Sequence, residues 1–186
     1  MKKYLVVSIL LVSSFSWALN FELGVSYARK KNSFDRDNYF DTESATGSMS
    51  MYFSEMLGLE MSYTEAKATR YEKIPNGNES EIFQKTQVLG ADLILVLAPR
   101  KSMFQPYVKG GAAQLQRSQV THNITLNKVD KLDIETSVVP SYGAGLKIKL
   151  TEGLSMRLSY DVWRTPVGGG VITDDSKLRA GLSWML

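Results

Sequence analysis

The chain of 186 residues contains no cysteine, one histidine and no apolar helix-length run after its first 18 residues. Without cysteine there is no disulfide, no thiolate metal site and no lipid-modified N-terminal cysteine, so a small exported domain must take its stability from another source. A closed barrel supplies it, because all inter-strand hydrogen bonds are satisfied within the sheet. The stretch from Val88 to Ala98 is shorter than the roughly 20 residues of a spanning helix and carries Asp92, so any membrane crossing is made of strands. A concentrated basic patch is missing too. Removing Lys2 and Lys3 leaves 20 basic residues against 19 acidic ones, a net charge of +1. Charge of both signs spread along the chain does not make a phosphate-tracking surface, and no nucleic-acid partner is expected.

What is present begins with Met1 to Ala18. Lys2 and Lys3 form a basic start, Tyr4 to Phe15 an apolar stretch, and Ser16-Trp17-Ala18 a cleavage site. Residues 1–18 are therefore expected to be a cleaved signal peptide, and residues 19–186 a single outer-membrane β-barrel domain. The end of the chain alternates strictly: Leu178, Ala180, Leu182, Trp184 and Leu186 on one face, Lys177, Arg179, Gly181 and Ser183 on the other. That pattern suits a strand with lipid outside and a polar lumen inside.

The alternation recurs along the chain. Phe21, Leu23, Val25 and Tyr27 oppose Glu22, Gly24 and Ser26, and Ala45 to Phe53 and Leu57 to Thr64 repeat the scheme around a Ser54-Glu55-Met56 turn. Leu89 to Leu97, Val138 to Leu150 and Leu154 to Val162 follow, with turns at Pro99-Arg100-Lys101-Ser102 and Thr151-Glu152-Gly153. From Gln105 to Arg117 the two faces are too alike to assign inside or outside. The count is eight strands, and short turns alternate with long polar connections at 31–44, 70–85, 118–136 and 164–176. Transmembrane barrels have short periplasmic turns and longer external loops, so the long connections are expected outside the cell. Tyr27, Tyr63, Tyr107, Tyr142, Tyr160, Trp163 and Trp184 lie near strand ends, where interfacial aromatic girdles are expected.

Two segments, Pro106-Tyr107-Val108-Lys109-Gly110-Gly111-Ala112-Ala113 and Tyr142-Gly143-Ala144-Gly145 through Ser159-Tyr160, resemble the Pro-Tyr-x-x-Gly-x-Gly strand and the Gly-x-Gly hairpin of the OmpA-like small outer-membrane barrels. The resemblance implies an all-β, eight-stranded, antiparallel up-and-down transmembrane barrel in a Gram-negative outer membrane. It also implies delivery by the outer-membrane assembly machinery, although Leu186 stands where that family ends in Phe or Trp. No motif of the lipid A deacylase or palmitoyltransferase barrels is recognisable.

The face opposite the apolar one puts Glu22, Glu60, Asp92, Lys147, Lys149, Arg157, Asp161 and Arg179 in the lumen. Unpaired charges there would each cost several kcal/mol, so an ionic network is expected, with Lys177 and Arg179 as partners for Glu22 on the first strand. An eight-strand interior is just wide enough for side chains, and the network is expected to plug it. His122, in Val120-Thr-His-Asn-Ile124, has Ser118, Thr121, Asp133 and Glu135 nearby, yet a catalytic histidine needs nucleophile and acid in a shared geometry. No catalytic, cofactor or metal residue is assigned: Asp35-Arg-Asp-Asn38 and Asp174-Asp175 lack calcium-loop spacing, and Gly168-Gly-Gly170 precedes no helix. The expected role is structural and surface-directed, through four external loops. The expected partners are outer-membrane lipid, lipopolysaccharide (through Lys30, Lys31 and Arg70) and an extracellular ligand or surface. The alternatives are a small channel of the OmpW-like type for small or apolar solutes, and a soluble periplasmic barrel with the faces reversed.

Overall fold

The computed structural model describes residues 20–33, 39–73, 79–124, 128–166 and 172–186. The expected signal peptide, the Pro75-Asn-Gly-Asn78 turn, Asp35 to Asn38 and Gly168 to Gly170 lie outside them. Eight strands appear in chain order: β1 (Asn20–Ser33), β2 (Tyr39–Tyr52), β3 (Leu57–Lys73), β4 (Glu79–Val96), β5 (Phe104–Asn123), β6 (Lys128–Lys149), β7 (Leu154–Pro166) and β8 (Ile172–Met185). Each pairs antiparallel with its chain neighbours, and β8 returns to β1 to close the barrel. Closure follows from the solvent, because a bilayer offers no water to an unpaired strand edge.

The alternating apolar residues face outward. Phe21, Leu23, Val25 and Tyr27 on β1, Leu93 and Leu95 on β4, and Leu178, Leu182 and Trp184 on β8 are all exposed large apolar side chains. In a soluble protein that surface would be a liability, whereas in a bilayer it is the lipid contact. The opposite face buries Glu22, Glu60, Asp92, Lys109, Lys147, Arg157, Asp161 and Arg179. The soluble barrel with reversed faces is thereby contradicted, since it would bury the apolar set and expose the charges.

The short turns sit at one end. At Ser54–Met56 the Phe53 and Ser54 amides donate to the Leu57 carbonyl, and Ser54 Oγ accepts from the amides of Met56 and Leu57. Thr151 does the same work in the β6–β7 turn, its Oγ1 accepting from the Leu154 amide at 3.0 Å. Gln105 Nε2 donates to the carbonyls of Arg100 and Ser102, tying down the β4–β5 turn.

The long connections differ from the expected loops. Most of their residues continue the ladders: β3 pairs with β4 up to Lys73↔Glu79, and β5 with β6 up to Asn123↔Lys128. Once beyond the lipid, both faces of a strand meet water, so apolar alternation stops while the backbone still pairs. His122 accordingly lies on β5 rather than in a loop, opposite Val129 and Glu81. Strands β3 to β6 have 17, 18, 20 and 22 residues against 13 or 14 for the other four. A tilted spanning strand needs about 9–11 residues. The barrel thus carries a tall wall on its β3–β6 side and a low rim at β1, β2, β7 and β8.

The lowest part of the rim is the seam. β1 and β8 pair only from Glu22↔Met185 to Tyr27↔Ala180, and above that point both strands continue unpaired with each other. Gly181 is what lets the seam close: a Cβ there would lie 2.6 Å from Ser26 Cα and closer still to the Val25 carbonyl oxygen. We expect Gly181→Val to abolish the folded form seen as heat-modifiable migration in gel electrophoresis. Gly47→Val, whose Cβ would meet nothing within 4 Å, is expected to retain it.

Candidate functional site: the lumen and its external cavity

Four carboxylates and four cations are buried in the lumen among the described residues, so its interior charge sums to zero. Lys109 is their hub. Its ammonium lies 2.8 Å from Glu60 Oε1, 2.8 Å from Asp161 Oδ1 and 3.3 Å from Asp92 Oδ2. Glu60 also receives Arg157 Nη1 at 2.5 Å and the Ser50 hydroxyl at 3.2 Å. Arg179 donates from Nε to Asp161 Oδ2 at 2.9 Å and from Nη1 to Thr46 Oγ1 at 2.7 Å, while its Nη2 also reaches Asp161. Ser141 donates to Asp92. Nearer the periplasmic end, Lys147 donates to Glu22 Oε2 at 2.6 Å and to the Tyr52 hydroxyl.

Several sequence expectations need correction at this point. Glu22 meets Lys147, 125 residues away across the lumen, and not Lys177 or Arg179. The seam register explains why: it puts Glu22 opposite Met185, six residues below Arg179 on β8. Tyr107 and Trp163, expected in the girdles, are buried inside the barrel, since they share parity with Lys109 and Asp161. Tyr52 turns inward likewise, filling space left by Gly58, whose Cβ would lie 2.8 Å from the ring. Tyr27, Tyr63, Tyr142, Tyr160 and Trp184 are exposed on the outer face. Lys149 lies near the periplasmic mouth and makes no ion pair among the described residues.

The open question of residues 105–117 is settled by burial. Tyr107, Lys109, Ala113 and Leu115 face the lumen, while Val108, Gly110, Ala112 and Gln114 face out. Lys109 and the three inward aromatics are the functional residues that sequence reasoning missed. Parity with charged neighbours was the available signal. The aromatics extend the network: Arg157 Nε donates to the Tyr107 hydroxyl at 2.7 Å, and Lys147 Nζ lies 4.8 Å from the Tyr52 ring centroid, a cation–π distance.

The ionic layer is enclosed from both sides. Below it Tyr52, Ile94, Val96 and Tyr107 form an apolar cluster; above it Val88, Ala113, Leu115, Val139 and Trp163 form another. The void beside Glu60, Arg157 and Arg179 is only about 10 Å³, room for one water at most. Burial of this kind makes each ion dependent on its partners.

Above the upper cluster the lumen widens into a cavity of about 580 Å³. Trp163, Val88 and Leu115 form its floor, Arg117 and Lys177 project from its wall, and Ala28, Lys30 and Leu178 stand at the seam side. Arg117 is bound to Asp175. Lys177 Nζ lies 5.8 Å from the Trp163 ring centroid and is attracted by the Asp175 carboxylate without a salt bridge to it. On the tall wall, the Lys85 ammonium at 3.1 Å holds the Glu65 carboxyl below its ordinary range. No cluster of three or more metal-ligating side chains occurs among the described residues.

Comparison with known proteins bears on the fold. The model of the outer membrane protein beta-barrel domain matches residues 5–185. No curated protein matches the chain in sequence. The N-terminal β-barrel domain of Pseudomonas aeruginosa OprF superimposes with a TM-score of 0.55 at 17% identity, over 90% of this chain and 97% of that one. Pseudomonas aeruginosa OprG gives 0.56 at 12%, over 91% and 97%. Ail of Yersinia pestis, solved with the heparin analogue sucrose octasulfate, gives 0.55 at 13%, over 90% and 99%. At these identities the likeness speaks for the barrel alone.

The ionic layer makes a stability prediction. Glu60→Leu leaves Lys109 and Arg157 short of a carboxylate and is expected to cost about 3–5 kcal/mol. Replacing Glu22 and Lys147 together by Leu and Met removes both charges of a pair and is expected to cost far less. Urea unfolding in lipid vesicles, followed by tryptophan fluorescence, measures both.

Proposed function

Because this chain belongs to the outer membrane protein beta-barrel domain family, we propose that it serves the outer membrane as a closed barrel, contributing to the integrity of the bilayer and offering its external face to partners. The observation that carries the reading is the neutral ionic layer held between two apolar clusters. A hydrated ion crossing it would have to separate pairs such as Glu60–Arg157 and Glu22–Lys147 within a space that admits almost no water. Separation in so poorly hydrated a place costs several kcal/mol per ion. A channel for small solutes, the rival reading, would require that layer to move as a unit.

The external face is the tall β3–β6 wall, whose length beyond the lipid has no role in spanning it. In this reading it meets an extracellular ligand or surface, while the outer tyrosines meet lipid and lipopolysaccharide headgroups. Export by cleavage after Ala18 and delivery to the outer-membrane assembly machinery through β8 belong to the same reading. The proposal assigns no enzymatic reaction.

Purified protein in planar bilayers is expected to give no stable conductance steps, and cells lacking the chain are expected to take up more of an apolar dye such as N-phenyl-1-naphthylamine. Large, stable steps from the pure protein would reject the closed lumen.

A further inference from the structure

The seam between β1 and β8 stops short of the ends of both strands. Continued one residue at a time, the register Tyr27↔Ala180 would set Lys30 directly opposite Lys177, both on the inward face. The ladder does not run that far, although like-charged pairs such as Glu60↔Asp92, Lys67↔Lys85 and Lys147↔Arg157 stand opposite each other elsewhere in the barrel. Instead of pairing, the strands part above Tyr27, and Ala28, Arg29 and Lys30 on one lip face Ser176, Lys177 and Leu178 on the other across the external cavity.

The position of this split is informative. An open edge is not tolerated in the hydrocarbon, so the parting belongs where lipid chains give way to headgroups, level with the outer tyrosines Tyr27 and Tyr160. The cavity behind it, about 580 Å³, lies in the range of small-molecule pockets, about 300–1,000 Å³. Its floor of Val88, Leu115 and Trp163 is apolar, and its lining includes Lys30 and Lys177, neither in a salt bridge among the described residues, with Asp175 attracting Lys177. The other lining cations are held, Arg117 by Asp175 and Arg29 by Asp41 and Glu43.

We propose that the split is a lateral entrance through which the cavity takes a single-chain fatty-acid carboxylate from the outer leaflet, its head between Lys30 and Lys177 and its chain on Val88, Leu115 and Trp163. The charge complements the lysine pair, and the apolar floor complements one chain. The volume does not suit a two-chain lipid. This binding goes beyond the closed-barrel reading and requires no passage through the ionic layer, so it stands or falls separately from the conductance result.

The mature chain carrying Trp184→Phe keeps Trp163 as its only tryptophan, which makes the cavity floor a reporter. In nanodiscs, 9,10-dibromostearate is expected to quench Trp163 saturably, and its uncharged methyl ester at least tenfold more weakly. Lys177→Glu, which reverses the charge on one lip, is expected to weaken the acid tenfold or more. Lys30→Glu provides the same test from the other lip should the first variant fail to fold. Quenching that does not saturate, that is equal for acid and ester, or that persists unchanged in both variants would overturn the proposal. Equal quenching by dibrominated phosphatidylcholine in the disc itself would overturn it too, by assigning the cavity to bulk lipid.

Discussion

The absence of water in the bilayer is the constraint on which the rest of the structure depends. It forces every backbone N–H and C=O at membrane depth into a ladder, and a ladder without edges is a barrel. Eight strands close with an interior only wide enough for side chains. Two requirements follow at once for the side chains. Residues pointing out must be apolar, and residues pointing in must satisfy one another with little help from solvent. The alternation of Leu, Met and Tyr with Ser, Gly and charged residues is the sequence form of that double demand.

The inward side meets its demand by balance. Four acids and four bases, Lys109 among them, leave no net charge, and hydroxyls from Ser50, Thr46 and Ser141 take part of the remaining hydrogen-bonding capacity. Apolar side chains from the same inner face then cap the layer above and below. The lumen is thus not simply polar. It is stratified, and the strata explain both why the barrel is closed and why an apolar floor exists for the external cavity. Above Tyr27↔Ala180 the seam is open, with Lys30 and Lys177 on its two lips.

Strand number, facing and the short turns were legible because lipid and lumen differ so sharply in what they accept. The inward charges were legible for the same reason, as residues opposite the apolar set from Glu22 to Arg179. Their partners were not. Glu22 and Lys147 meet across the lumen, and a contact between non-adjacent strands leaves no trace in strand-by-strand alternation. The facing of β5 was hidden by Gly110-Gly111-Ala112-Ala113, four small residues that give neither face a character. Tyr107 and Trp163 misled because an aromatic near a strand end suits a headgroup girdle as well as a packed lumen, and only parity with Lys109 and Asp161 separates the two. The strand extensions of the external wall were hidden because water on both faces removes the contrast that marks a strand.

The dryness of the ionic layer is the central claim, and the ammonium protons of its lysines test it most directly. In protein labelled with ¹⁵N at lysine, folded in nanodiscs at neutral pH, Lys109 and Lys147 are predicted to show resolved, slowly exchanging NH₃⁺ signals, while surface lysines such as Lys67 are lost to rapid exchange with water. Loss of the Lys109 and Lys147 signals under the same conditions would mean a hydrated lumen and contradict the account.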